Sequence, residues 1–311
     1  MKNMTKAALA ATALVSMWAG DAAAQTKISI GCTATTDCAS SAVALQEGIF
    51  KKNGLDVTMV LIGINSTIPA ALLSNSLQIG GPTPPTFLQA VDGGLELVAV
   101  AGASATAPST VDTVAVVATA ASGIKGPKDF VGKKVGSPGI GAFLQVLFSK
   151  WLIENGVDPK KVNFVEVGFP TMNDALKSNA VDAVITAEPI MSRIIASGTG
   201  TAAGYFLEKL PERRPQILYS STRAWADANA AALKAFRTSI EEGAKIANEN
   251  PDKGRKAIAD FTKIPMDVLS KQKLTTADAK IDKEQLDWWV STMNEQNMLQ
   301  GKPDTAALIQ K

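Results

Sequence analysis

Strand and helix signals alternate along this 311-residue chain, break off near Thr113, start again, and close near Ile217. Residues 27–30 read as a strand, 42–53 as an amphipathic helix stopped by Gly54, 55–61 as a strand, 67–74 as a helix and 77–79 as a short strand. The stiff run Gly80-Gly81-Pro82-Thr83-Pro84-Pro85 follows, then a helix and a strand over 95–101. These are βα units of the kind that build parallel sheets.

The β-branched segment 113–118 leaves this group and a second set begins. Its strands are 134–136, 162–167 and 183–186, and its helices 142–155, 172–178 and 189–196. Residues 216–220 form a late strand without a βα partner, and 224–310 reads almost wholly as helix, with stops at Asn250-Pro251, Ile264-Pro265 and Gly301. The economical fold is α/β with two lobes. Residues 25–113 and 217–311 make the first, carrying the C-terminal helices, and 114–216 make the second. No low-complexity linker separates them, which fits lobes joined by two crossing strands and not by a tether.

The N-terminus carries its own information. Lys2 and Lys6 precede an apolar run over 7–19, then Gly20-Asp21 and the small residues Ala22-Ala23-Ala24. That order is a secretory signal peptide over 1–24, with cleavage expected after Ala24 and a periplasmic mature protein. The run is short of the ~20 residues that span a bilayer. The competing readings are an uncleaved anchor, a buried helix, and acylation at Cys32. The net charge of +2 gives no basic excess for nucleic acid or an anionic membrane.

Cys32 and Cys38 are the only cysteines. In an oxidising compartment they are expected to pair, closing a small loop worth about 2 kcal/mol. A free pair or a metal half-site is the alternative. The chain has no histidine, so zinc would have carboxylates alone to complete it, and no metal or cofactor is expected.

Four segments carry a family resemblance. They are 47–57 (Glu-Gly-Ile-Phe-Lys-Lys-Asn-Gly-Leu-Asp-Val), 70–80 (Ala-Ala-Leu-Leu-Ser-Asn-Ser-Leu-Gln-Ile-Gly), 128–136 (Lys-Asp-Phe-Val-Gly-Lys-Lys-Val-Gly), and 179–184 (Asn-Ala-Val-Asp-Ala-Val) followed by Glu188-Pro189. In order and spacing they resemble the type II periplasmic solute-binding proteins of ABC importers, in the taurine, alkanesulfonate, nitrate and thiamine-precursor group. The resemblance implies a Venus-flytrap fold with two interlobe strand crossovers and a small molecule in the cleft. It also implies a permease in the inner membrane as partner and a monomeric state.

The residues point to the same cleft, because ligands of open α/β sheets sit beyond the carboxyl ends of the strands. After the first strand, the loop 33–37 offers Thr35 and Thr36, pinned by the expected disulfide; a solvated, merely stapled turn is the alternative. Asn65 and Ser66 open a helix, either as caps or beside free N–H groups for an anion. Thr83 and Pro84 lie in the Gly/Pro run, where two glycines allow close approach of backbone to ligand. Ser137, Gly139, Ile140 and Gly141 form the matching turn of the second lobe, whose bare N–H groups suit a carboxylate or sulfonate. Thr171 and Glu188 precede two further helices; Glu188 is either a helix-start carboxylate or a contact to a ligand cation or hydroxyl.

No Arg or Lys occurs in these loops, and Phe87, Phe143 and Phe169 lie near them. The ligand expected is therefore a small polar molecule with an anionic end, held by amides and hydroxyls. Delivery to an importer is the leading reading, and presentation of solute to a membrane receptor is the alternative. An enzyme on the same fold is disfavoured, since the usual general base, histidine, is missing and no nucleophile elbow occurs.

Overall fold

The computed structural model describes residues 25–311, so the expected signal peptide lies outside the described residues. Strand β1 (Thr26–Thr33) leads to α1 (Ala39–Gln46), α2 (Ile49–Lys52), β2 (Leu55–Ile62), α3 (Ile68–Leu73), β3 (Ile79–Gly80), α4 (Pro84–Asp92) and β4 (Leu97–Ala105). The single helix expected over 42–53 is two, because Gly48 adopts a left-handed φ of 70° and breaks it. β1 is parallel to β2 along its whole length and to β3 on its other side.

The second set comprises β5 (Val114–Ala118), β6 (Lys134–Ser137), α5 (Phe143–Glu154), β7 (Asn163–Glu166), α6 (Met172–Lys177), β8 (Ala183–Ala187), α7 (Ile190–Ala196) and β9 (Thr201–Tyr205). Its sheet has the order β7-β6-β8-β5-β9, with β6 parallel to both neighbours and β5 antiparallel to both of its own. β5 is buried throughout, as its uninterrupted Val/Ala sequence requires. The edge strand β9 has no sequence signal, since Thr-Ala-Ala-Gly-Tyr lacks both a β-branched run and alternation. Its Gly204 makes room for Trp151, whose ring would lie 2.8 Å from any Cβ placed there.

The chain returns through β10 (Pro215–Thr222), which enters the first sheet between β3 and β4. Then come α8 (Arg223–Ala228), α9 (Ala230–Glu249), α10 (Pro251–Thr262), α11 (Met266–Leu269), β11 (Thr276–Ala277) and α12 (Lys283–Asn294). The first sheet has the order β11-β4-β10-β3-β1-β2. In the tail read as helical, β11 is a short edge strand paired with β4.

Two connections, 106–113 and 206–214, join the sheets, and they run side by side. Thr106 N donates to Arg214 O (2.8 Å), Arg213 N to Thr106 O (2.9 Å), and Thr106 Oγ1 to Pro211 O (2.7 Å). They prolong the β4–β10 pairing by one step and then separate. The return to the first sheet therefore begins at Pro215, opposite Ala105. Trp289, fully buried on α12, donates to Pro215 O (3.0 Å) and lies 5.4 Å from Phe143 of α5, so α12 touches both the first sheet and a helix of the second set.

Candidate functional site in the interlobe cleft

The carboxyl ends of β1, β2 and β3 face those of β6, β7 and β8, and a cavity lies between them. From the first lobe it is lined by Thr33, Thr35, Asp37, Asn65, Thr83, Gln216 and Ile217. From the second come Val114, Pro138, Ala142, Phe143, Leu144, Phe169 and Ala187. Its volume is about 40 Å³. One water needs roughly 10–15 Å³ on that measure, so a solute of more than a few heavy atoms enters only if the lobes part further. A larger groove of about 720 Å³ lies on the outside, between α5, residues 156–164 and residues 295–298. It involves no strand end of the first sheet, so its volume does not make it the site.

The loop after β1 is fixed at both ends. The Cys32–Cys38 disulfide ties the strand to the start of α1. Thr36 Oγ1 is held by Thr275, through its hydroxyl (3.2 Å) and its N–H (3.2 Å), and so is not at the cavity. Thr35 and Asp37 are. Thr35 Oγ1 donates to Asp37 Oδ2 (2.6 Å) and Ser104 Oγ to Asp37 Oδ1 (2.6 Å). Burial pushes the Asp37 carboxyl above its usual range, against the lowering effect of these two hydroxyls.

Asn65 and Thr83 also reach the cavity, and both are used in building it. Asn65 Nδ2 donates to Gly81 O (3.2 Å), while its Oδ1 accepts from Thr83 N (3.0 Å). Thr83 caps α4, its Oγ1 accepting from Thr86 N (3.3 Å), and it also accepts from Phe143 N (3.2 Å) across the cleft. Pro84, the first residue of α4, is buried behind it and does not line the cavity.

The amides expected to be bare are partnered. Gly139 N is directed at Ser137 Oγ (3.4 Å), Ile140 N donates to Glu166 Oε1 (3.0 Å) and Gly141 N to Gln145 Oε1 (2.5 Å). The same Glu166 oxygen accepts from Ser66 Oγ (2.6 Å), so Ser66 and Ile140 meet on one carboxylate at the cleft mouth. Asn65 N donates to Pro138 O (3.1 Å) and Gln89 Nε2 to Gly141 O (2.7 Å), again across the cleft. Ser137, Gly139, Ile140 and Gly141 thus build the turn that closes on the first lobe, but none of them lines the cavity.

Thr171 is exposed and donates to Gly168 O (3.0 Å), away from the cavity. Glu188 is buried near the first connection. Its oxygens accept from Ser192 Oγ (2.8 Å) and Ser192 N (3.3 Å), the helix-start arrangement. Gln272 of the first lobe, its amide nitrogen turned to the carboxylate, donates to Glu188 Oε2 at 2.9 Å. Burial raises the Glu188 carboxyl, and the Ser192 bonds oppose this. Of the residues expected at the ligand, Thr35, Asn65 and Thr83 are the three brought to the cavity. Asp37 and Gln216 were not among those expected, although Asp37 lies in the loop singled out. Phe143 and Phe169 line the cavity, whereas Phe87 is in the core.

The profile of the family described as NMT1/THI5 like matches residues 35–254, most of the described chain. The chain belongs to that family. A Haemophilus influenzae protein described as a thiamine biosynthesis protein is 27% identical over 228 residues, covering 72% of this chain and 69% of its own length. The alkanesulfonate-binding protein SsuA of Xanthomonas axonopodis pv. citri, solved with MOPS bound, superposes with a TM-score of 0.75 at 16% identity, covering 92% of this chain and 98% of that one. The periplasmic nitrate-binding protein NrtA of Synechocystis gives a TM-score of 0.76 at 18% identity, with coverage of 91% and 84%. At these identities the likeness is one of fold, and the fold of this family member is the two-lobed type II periplasmic-binding-protein fold. Among the described residues no helix is long and apolar enough to cross a membrane, and no group of three or more Cys, Asp or Glu comes together as metal ligands would.

Proposed function

We propose that the chain is the substrate-binding component of an ABC importer. It would capture a small polar solute between its lobes in the periplasm and hand it to a membrane permease. The observation that carries this reading is the composition of the cavity: strand ends of both sheets line it in equal number, and two adjacent connections join the sheets. A solute there contacts both lobes at once, binds the closed form better than the open one, and so shifts the population toward closure. The lobes would be 25–113 with 217–311, and 114–216, moving about the paired connections.

Delivery to a permease is supported by likeness to SsuA and NrtA, whose names describe solute binding. A binding role in preference to catalysis is supported by a cavity that offers threonine hydroxyls and one carboxylate but no histidine base. The test is calorimetry of the mature, monomeric chain against small carboxylates, sulfonates and amines, with small-angle scattering of the same samples. One class is expected to bind one-to-one and shrink the radius of gyration. Absence of heat and of compaction for every class would end the proposal.

A further inference from the structure

The chemistry of the cavity wall narrows the solute beyond "small and polar". The only ionisable side chain lining the cavity is Asp37. Its oxygens accept one hydroxyl each, from Ser104 and Thr35. A carboxylate has about four acceptor positions, so roughly two remain. Asp37 takes part in none of the ion pairs among the described residues. A half-buried carboxylate beside an apolar wall, satisfied by neutral donors alone, is a costly arrangement for a fold to keep without a partner.

Opposite charge is what this wall would accept. An anion would face the Asp37 charge in a space with no lysine or arginine, and the helix-start amides that could have compensated are already bonded to protein. A second polar group at the cavity has an unmet donor. The Gln216 side-chain amide is buried, lines the cavity, and its Nε2 makes no hydrogen bond. Buried polar atoms in native proteins are nearly always paired, so this amide is an open hydrogen-bonding position. The rest of the wall combines the neutral polar residues Thr33, Thr35, Asn65 and Thr83 with an apolar part that includes Phe143, Leu144 and Phe169.

We infer that the cleft selects a small organic cation, a protonated amine or amidinium, whose N–H groups bond to Asp37, whose second polar group meets Gln216, and whose apolar part lies against Phe143 and Phe169. This rests on the solute-binding reading above and deepens it.

The experiment uses three sets of small probes on the mature chain. The cations are methylammonium, ethanolamine and guanidinium; the neutral probes are acetamide and urea; the anions are nitrate, formate and methanesulfonate. Thermal shift and calorimetry are read together. At least one cation is expected to bind and raise the melting temperature, and the anions are not. Asp37→Asn keeps the shape of the side chain and is expected to weaken the cation about thirty-fold or more, since it removes one partner of a desolvated charge pair. Gln216→Leu removes the unpartnered amide. It is expected to leave the melting temperature unchanged or raised while weakening binding, which separates a ligand role from a folding one. Nitrate, formate or methanesulfonate binding to the wild type, or undiminished cation binding by Asp37→Asn, overturns the inference while the binding function stands. No binding and no compaction with any probe removes both.

Discussion

Replacing Gly168 by valine should hold the lobes apart without unfolding either. Gly168 follows β7, at φ −63° and ψ 147°, an extended conformation open to any residue. A Cβ there would sit 3.0 Å from Gly63 O and 3.8 Å from Ile64 Cγ1, both in the loop after β2 of the other lobe. Alanine would ask Gly63 to give by a few tenths of an ångström. Valine adds two methyl groups to that contact, and overpacking of this kind costs about 1–3 kcal/mol. Inside one rigid body the cost would appear as lost stability. Here it can be avoided by opening, so it should appear as lost closed population. At 1.4 kcal/mol per factor of ten, the apparent affinity for a solute that needs the closed form should fall roughly 5–150-fold. Small-angle scattering should give Gly168→Val a larger radius of gyration than wild type under saturating solute, at an unchanged melting temperature for the solute-free proteins. A variant as compact as wild type with the same affinity would show that this contact plays no part in closure. A melting temperature lowered by several degrees with no change in compactness would place the clash within one body.

Three other outcomes are expected. Replacing Cys32 and Cys38 together by serine should cost about 2 kcal/mol, from the loop entropy of a short bridge, measured by urea unfolding against wild type; an unchanged midpoint would mean that the hydrogen bonds of the 33–37 loop hold it alone. Gly243→Ala on α9 would bring a Cβ to 2.1 Å from Ser40 O of α1, and the helices must separate, at about 1–3 kcal/mol of stability; a wild-type melting curve would refute the packing argument. Burial raises both Asp37 and Glu188, so the folded state binds protons more tightly than the unfolded chain; stability from these two groups is gained as pH falls through their folded values and lost as it rises. Tyr219, which senses the Asp37 charge, is itself pushed up by burial and stays neutral across that range. As the pH is lowered from neutral toward the ordinary carboxylate range, Asp37→Asn should therefore gain less in melting temperature relative to its neutral-pH value than wild type does, and parallel curves would contradict this.

The two-lobed plan was legible because each half repeats the βα pattern and the break at Thr113 is abrupt. β9 was not, because Thr201–Tyr205 is an edge strand specified by its pairing with β5 and by the fit of Gly204 to Trp151, and neither leaves a local signal. At the site, the loops were legible and the engagement of their amides was not. The turn over 139–141 looked like a cradle of free amides, which made an anion the natural ligand. Its donors are taken by Glu166 and Gln145, and that of Phe143 by Thr83, partners 4 to 60 positions away whose approach no local pattern announces. Asp37 was passed over for the hydroxyls beside it, and Gln216 looked like an ordinary strand residue. What makes both of them notable is a partner they lack, and that can be read only once the neighbours are in place.

Those same cross-cleft bonds bear on how closure can be reversible. Asn65 N to Pro138 O, Phe143 N to Thr83 Oγ1, Gln89 Nε2 to Gly141 O and Ser66 Oγ to Glu166 are polar contacts that water can replace when the lobes part. Each therefore contributes only about 0.5–1.5 kcal/mol net. Four of them sum to a few kcal/mol, a modest gain set against the ordering of two bodies. A closing surface made of leucine and phenylalanine would lock, since opening it would expose apolar area to water. On the proposed function, the polar one would let a solute bound with about 8 kcal/mol, the value for micromolar affinity, decide between open and closed forms and still be released. The carboxylate of Asp37 sharpens that decision. Closed over nothing, it is a poorly compensated charge; closed over a cation, it is a pair, so the same group that disfavours empty closure rewards the filled one.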